Sequence, residues 1–310
     1  MMFKHSCTHL TTLTKQRVLQ WLGTIETVLF DADGVLWDND KPIASAVNAF
    51  NTLRAAGKRN YIVTNNTTVS CDGILKKAIS LGLETDKDHI ISASLSVADY
   101  LANKKFQKKV FLVGESGISE ELANLDICSF TVKPEPMNKS MKDFTLELKL
   151  DPDVGAIVVG RDDNFNVPTL IRANSYLQNR RILFLGAGMD KGYPIGENRR
   201  MVVGGGPIIA AIKTVSERKP LILGKPNPWM LRRPISAGLI NPETTLMIGD
   251  TIQTDIMFAY NTGCQSLLVG TGVSSLKDVA KIRNSGNDKM MVMVPDFYLP
   301  NLEPISEHLC

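Results

Sequence analysis

Cysteine is scarce in this chain: Cys7, Cys71, Cys128, Cys264 and Cys310 are odd in number and irregularly spaced. They support neither a disulfide framework nor a zinc-binding pattern, so a reducing, cytoplasmic setting is expected. Long apolar runs are missing as well. No stretch approaches the roughly 20 residues of a membrane-spanning helix, and the N-terminus lacks the apolar core and small-residue cleavage site of a secretory signal. The expectation is a soluble protein with no membrane partner. A marked charge bias is also absent. The net charge of +3, with a pI near 8.5, is too small and too scattered to point to nucleic acid. No internal repeat or low-complexity tract is present. Residues 1–20 are Thr-rich, basic and free of acids, which fits either an organellar presequence or a short surface helix over Val18 to Leu22.

What is present is ordinary globular composition, 44% hydrophobic and 22% charged over 310 residues, enough for two compact domains. Short apolar runs recur with helix-like segments between them. They are Thr27–Asp31, Tyr61–Thr64, Val110–Gly114, Ala156–Gly160, Ile182–Leu185, Leu221–Leu223, Leu246–Gly249 and Leu267–Val269. This alternation predicts an α/β protein with a Rossmann-like, doubly wound parallel-sheet core. Between the first two runs, Val47, Phe50 and Leu53 share a helical face and Gly57 supplies a stop, giving a βαβ unit over residues 27–64.

The polar residues that end these runs are the most informative feature. Asp31, Thr64, Gly224-Lys225 and Gly249-Asp250 each follow an apolar run directly, and in open α/β sheets ligands bind beyond the carboxyl ends of the strands. The middle of the chain has its own strands and helices, but none of its strand ends carries a comparable acid or lysine. It reads as an inserted α/β domain over residues 104–219, with core segments at 1–103 and 220–310 and the return near Lys219-Pro220.

Asp31-Ala32-Asp33-Gly34 puts two carboxylates two residues apart as a strand ends. Beside a phosphate dianion they would repel it, so an occupied site needs a hard cation and a lysine, and magnesium suits such oxygen ligands. One aspartate can then attack phosphorus, and the other can protonate the leaving alkoxide and activate water. Asp250 can reach the same cation, and Asp255 lies one helical start further on. Lys225, between Gly224 and Pro226, can meet phosphate charge. Thr64, Asn65 and Asn66 offer donors at a helix start. Each feature alone has a plainer reading, as an acidic turn, a helix cap or a solvated lysine. Their occurrence in series at the ends of separate strands favours the joint chemical reading.

In this order, Asp31-x-Asp33-Gly, Thr64-Asn65, Lys225-Pro226 and Gly249-Asp250 with Thr254-Asp255-Ile256, the chain resembles the haloacid-dehalogenase-like phosphatases over about residues 25–300. Asp31-Ala-Asp-Gly-Val-Leu-Trp37, Thr64-Asn-Asn66 and Leu268-Val-Gly-Thr-Gly-Val-Ser274 are similar to the nitrophenylphosphatase group, which includes phosphoglycolate and pyridoxal phosphatases. The resemblance implies Asp31 as nucleophile and magnesium ligand. It implies Asp33 as general acid/base with its backbone carbonyl on the metal, and Asp250 as the third protein ligand. Thr64, Asn65 and Asn66 would bind the phosphoryl group, Lys225 would stabilise its charge, and Asp255 would support from behind.

The resemblance also implies that the inserted domain is a cap that selects a small phosphorylated metabolite and mediates a homodimer. In that cap, Phe184-Leu-Gly-Ala-Gly-Met-Asp190 and the following 194–200 stretch resemble the phosphoglycolate phosphatase branch, with Ala187, Gly188 and Asp190 in the substrate loop. Relatives usually carry Thr-Asn at 187–188. Thr251 stands where the mammalian phosphoglycolate enzyme has arginine, and Val69 where a basic residue is frequent. The alternatives are a pyridoxal 5′-phosphate or phosphotyrosine phosphatase, a phosphotransferase, and a catalytically weak scaffold. A dinucleotide-binding loop at Gly186–Gly192 has the wrong spacing and no room for the helix it needs. Gly204-Gly205-Gly206 reads better as a hinge out of the cap than as a phosphate cradle.

Overall fold

Apolar runs buried on both faces demand parallel strands covered by helices, and the computed structural model has two such sheets. It describes residues 5–134, 136–195, 198 and 200–309, so Cys310 and parts of the 194–200 stretch lie outside the described residues. In chain order the strands are β1 (Thr8–His9), β2 (Thr27–Phe30), β3 (Arg59–Thr64), β4 (Ile90–Ser92), β5 (Lys109–Val113) and β6 (Ser129–Phe130). There follow β7 (Val154–Val159), β8 (Leu183–Gly186), β9 (Leu221–Ile222), β10 (Thr245–Gly249), β11 (Gln265–Val269) and β12 (Phe297–Leu299). All eight runs picked out in the sequence are strands. Within these two parallel sheets, the four strands that were not picked out, β1, β4, β6 and β12, have two or three residues each, too few to establish a period.

Chain contacts divide the protein into two units, one of residues 1–64, 74–91 and 225–310 and the other of 65–73 and 92–224. In the first, the seven-stranded parallel sheet has the order β1-β12-β11-β10-β2-β3-β4. The chain winds outward from β2 through β3 to β4, then returns to β10 on the other side and winds outward again. The reversal therefore lies between β2 and β10, which pair as Phe30 with Ile248. Loops leaving adjacent strands in opposite directions open a crevice at such a point. Val28, Leu29 and Phe30 are completely buried. The helix over Ala44–Ala55 buries Ala46, Ala49, Phe50 and Leu53 and ends ahead of Gly57, whose φ of +82° suits glycine. Residues 15–23 form a helix that buries Val18, Trp21 and Leu22.

The second unit holds the five-stranded parallel sheet, order β9-β8-β7-β5-β6. The helices Val167–Leu177 and Gly205–Ser216 pack Ala173, Tyr176, Leu177, Ile208, Ile209 and Ile212 against Phe111, Ile157 and Val159 of the strands. Its limits differ from the expected 104–219. The helix Ala93–Asn103 belongs to it, as does β9, which pairs with β8 through Leu185 and Leu221. The run Leu221–Leu223 is thus not a strand of the seven-stranded sheet, and the chain leaves the second unit after Gly224 rather than at Lys219. Gly204-Gly205-Gly206 opens the helix Gly205–Ser216 inside the second unit, so it is not the exit hinge. Gly192–Ile195 is a strand paired antiparallel with Arg200–Val203, which excludes the helix that a dinucleotide loop at Gly186–Gly192 would require. Cys7, Cys71, Cys128 and Cys264 are free thiols, and among the described residues no helix is long and apolar enough to cross a membrane.

Phe258, fully buried in the cluster with Leu29, Val63 and Met247, tests this core. Phe258→Ala is expected to destabilise the first unit by about 3–5 kcal/mol, read as a lowered denaturation midpoint in urea.

Candidate active site

Three carboxylates and one ammonium meet where the first sheet reverses direction. Asp31 follows β2, and its own amide donates to the Ile248 carbonyl of β10 at 2.9 Å, so the ladder continues one residue past the strand and aims the side chain beyond the sheet edge. Its Oδ1 accepts from the Lys225 Nζ at 2.6 Å and from the Ala32 amide at 2.7 Å. Lys225 is 1% exposed, a position an ammonium tolerates only if all three of its donors are used. The Asp31 Oδ1, the Val63 carbonyl at 2.9 Å and the Asp255 Oδ1 at 2.7 Å surround it. Burial alone would lower the Lys225 pKa, but the Asp255 and Asp31 carboxylates outweigh it and raise the value. The peptide from Lys225 to Pro226 is cis.

Asp250 follows β10 and is also buried. Its Oδ2 accepts from the Val273 amide at 2.7 Å and its Oδ1 from the Thr251 hydroxyl at 3.0 Å. Asp255 sits in a single π-helical turn, Ile252–Ile256, which brings its carboxylate back over the strand end, and such turns are frequent at functional sites. The Asp255 Oδ2 accepts from the amides of Asp250 and Thr251 at 3.1 and 3.0 Å. Asp255 thereby caps the turn that presents Asp250 while its other oxygen faces Lys225. Oxygens of Asp31, Asp250 and Asp255 all lie within 4.8 Å of one another. Burial, then the carboxylate of Asp255, pushes the Asp250 carboxyl up to about 7. Burial, then Asp255, raises Asp31 well above the usual carboxylate range despite Lys225 beside it. Three acids around one ammonium are short of positive charge, and hard oxygen donors in that state fit a divalent cation such as magnesium.

Asp33 stands apart from that cluster. Its Oδ1 accepts from the Trp37 Nε1 at 2.9 Å, and the Gly34 amide bonds the Trp37 carbonyl at 2.8 Å. The Asp-x-Asp-Gly turn is thus closed on a buried indole that orients the second aspartate. Thr64 ends β3 and is buried.

The remaining candidates lie in the second unit. Asn65 Nδ2 donates to the Asp190 Oδ2 at 2.8 Å. Asn66 Oδ1 accepts from the amide and the hydroxyl of Thr68 at 2.9 and 2.8 Å, a local turn of the kind asparagine favours. The Thr67 hydroxyl accepts from the Arg161 amide at 3.2 Å, one of the contacts that place residues 65–73 in this unit. Ala187 is fully buried, its amide on the Val159 carbonyl at 2.8 Å. A Cβ on Gly188 would lie 2.9 Å from the Asp190 Oδ2 and 3.3 Å from the Asn65 amide group. Glycine at 188 leaves room for the Asn65–Asp190 hydrogen bond.

Residues 28–128 match the family described as haloacid dehalogenase-like hydrolase, and residues 222–302 match a second one described as HAD-hydrolase-like, together more than half of the chain. A human glycerol-3-phosphate phosphatase is 33% identical over 94% of this chain and 92% of its own length. The chain belongs to the haloacid dehalogenase-like hydrolase family. A chloroplastic phosphoglycolate phosphatase of Arabidopsis thaliana is 34% identical over 90% of this chain and 76% of its own length. Among solved structures, a p-nitrophenyl phosphatase from Archaeoglobus fulgidus superposes with a TM-score of 0.73 at 26% identity, covering 91% of this chain and 98% of that one. These relatives are phosphatases, and this member of the haloacid dehalogenase-like family is a phosphoric monoester hydrolase. Phosphatases of the family typically use a divalent metal, for which the acidic cluster supplies donors.

Two contributors had no role in the sequence reading. Trp37 appeared there only as part of a motif, yet it holds Asp33. The Gly270–Ser274 loop was a family marker alone, yet it fixes Asp250. Besides the Val273 amide, the Ser274 amide donates to the Asp250 carbonyl at 2.9 Å and the Thr271 hydroxyl to the Gly34 carbonyl at 2.6 Å. A Cβ on Gly272 would lie 1.8 Å from the Asp250 Oδ2, and one on Gly34, where φ is +82°, 2.5 Å from it. The glycines flanking β-branched residues in this loop were the available signal. Gly272→Ala is therefore expected to displace Asp250 and cut phosphatase turnover by roughly 100-fold or more, the scale of a misplaced catalytic group, while thermal unfolding stays cooperative.

Proposed function

We propose that this protein is a magnesium-dependent phosphatase of small phosphate monoesters that works through an aspartyl-phosphate on Asp31. The observation that carries the reading is the buried Lys225 ammonium shared by Asp31 and Asp255 next to Asp250. With Oδ1 of Asp31 held by Lys225 and the Ala32 amide, its Oδ2, which accepts from no described residue, is the oxygen left to attack phosphorus. The new O–P bond forms as the ester O–P bond breaks. Asp33, steadied by Trp37, gives its proton to the departing alkoxide, then takes one from the water that cleaves the acyl phosphate and releases inorganic phosphate. Lys225 offsets the charge that builds on the phosphoryl oxygens. Phosphoryl binding falls to Thr64, with Asn65 and Asn66 following it in the chain. Magnesium, when held by Asp31, Asp250 and the Asp33 carbonyl, would supply the missing positive charge and polarise the phosphoryl group.

For substrate, the names of the relatives favour a short phosphorylated alcohol or hydroxy acid, phosphoglycolate or glycerol 3-phosphate, with nitrophenyl phosphate as a surrogate. Glycerol 3-phosphate enters with the human relative; the sequence motifs alone pointed to phosphoglycolate and nitrophenyl phosphate, with pyridoxal 5′-phosphate and phosphotyrosine as alternatives. We place leaving-group selection in the 187–190 loop, whose Asp190 is tied to Asn65. We also read the second unit as the pairing surface of a homodimer, supported by exposed Ile195, Met201 and Val203 on its hairpin.

Asp31→Asn is expected to lower phosphate release by at least about 1,000-fold, as removal of a nucleophile does. Residual turnover near that of the wild type, in assays with magnesium, would sink the assignment. A second test follows from Asp250, raised to about 7 against about 3.9 in an unfolded chain. Without metal the folded state prefers the proton, so this group makes the protein less stable as pH rises from about 4 towards 7. Cation binding must release that proton, so below pH 7 magnesium affinity should fall by up to about tenfold per pH unit. Calorimetry in buffers of different ionisation enthalpy reads the released proton; affinity independent of pH between 5.5 and 7 would contradict it.

A further inference from the structure

The second unit has a concavity at the end of its sheet away from the substrate loop. Strands β5, β7 and β8 begin there, at Lys109, Val154 and Leu183, and the segments leading into them line a cavity of 670 Å³. That lies within the range of about 300–1,000 Å³ typical of small-molecule sites. Ala187–Asp190 follow the opposite end of β8, about 13 Å of strand away at 3.3 Å per residue, so a molecule seated here occupies a separate site.

Its lining is one-sided in charge. Lys104, Lys105 and Lys108 come from the loop into β5, and Arg181 from the segment before β8. Among the described residues none of the four has a carboxylate within ion-pair distance; Lys104 lies over the Tyr100 ring at 5.3 Å. The one acidic residue of the lining, Asp151, is already taken by Lys109 at 2.8 Å. A lone loop lysine is a solvated surface group and needs no explanation. Four unneutralised cations around one concavity repel one another, and a cleft walled by low-dielectric material concentrates their field on whatever enters. The wall behind them is apolar and firm. Tyr176 is buried with its hydroxyl fixed by the Asp151 amide at 3.0 Å, and Phe106 and Ile182 also line the cavity.

We propose that this cavity binds a small organic polyanion whose apolar, ring-sized body rests on Tyr176 and Phe106 while two or more carboxylate or phosphate groups meet Lys104, Lys105, Lys108 and Arg181. It does not depend on the phosphatase chemistry, because none of these residues belongs to the acidic cluster or the substrate loop.

The test is calorimetry on the full chain in excess chelator, with benzene-1,3,5-tricarboxylate as the carboxylate probe and ADP as the phosphate probe. Lys104→Ala/Lys108→Ala and Arg181→Ala are compared with Lys277→Ala, a surface lysine of the other unit. The proposal expects one tricarboxylate or ADP bound per chain, affinity at least tenfold weaker in the cavity variants, no change in Lys277→Ala, and unchanged nitrophenyl phosphate turnover in all three. Binding of both probes identifies the shared polyanion chemistry, and binding of one alone selects carboxylate or phosphate. No binding of either probe to the wild type, equal binding to the cavity variants, or an equal loss in Lys277→Ala would overturn it.

Discussion

The first unit is organised around a single buried ammonium. Lys225 is out of water, and an uncompensated cation there would cost several kcal/mol. The fold offsets that cost with partners from separate parts of the chain: Asp31 after β2 and Val63 near the end of β3 accept hydrogen bonds, and Asp255 in the turn after β10 makes an ion pair. Each acceptor is held in turn, Asp31 by the β10 ladder and Asp255 by the amides of Asp250 and Thr251. The lysine thus ties together the strand ends on both sides of the reversal. It also holds one oxygen of Asp31, Oδ1, in place.

The charge imbalance is the second consequence of this arrangement. One ammonium cannot neutralise three carboxylates, so Asp31 and Asp250 are both pushed above the usual carboxylate range by burial and by their acidic neighbours. A site so arranged is poised for a divalent cation and a dianionic group that exchanges ligands with it. The same deficit would be a defect in a structural core, where buried charges come paired. Here it lies at the crevice where the strand order reverses, the place where open α/β sheets bind ligands.

The second unit shows a different economy of contacts. Asp190 is bound to Asn65, and the glycine at 188 makes room for that bond. At 187–188 the chain thus carries a buried alanine and a glycine that leaves room for the Asn65–Asp190 hydrogen bond.

Read alone, the sequence determined the α/β class, eight of the twelve strands of the two parallel sheets, and Asp31, Lys225 and Asp250 as strand-end residues that would meet. Those features are local: an apolar run of three or more residues between helix-like segments declares a buried strand, and an acid or lysine following it declares a strand-edge group. Only the tertiary structure decided which sheet each strand joins. The run at 221–223 is as apolar as its neighbours, but pairing with β8 puts it in the second unit, and Lys225 reaches Asp31 from outside the first sheet. The short edge strands, the Trp37 indole on Asp33 and the Gly270–Ser274 loop over Asp250 also stayed hidden. Each rests on a hydrogen bond or close approach whose partner no periodicity names, or on a segment too short to have a period, and such choices are settled by packing the whole chain.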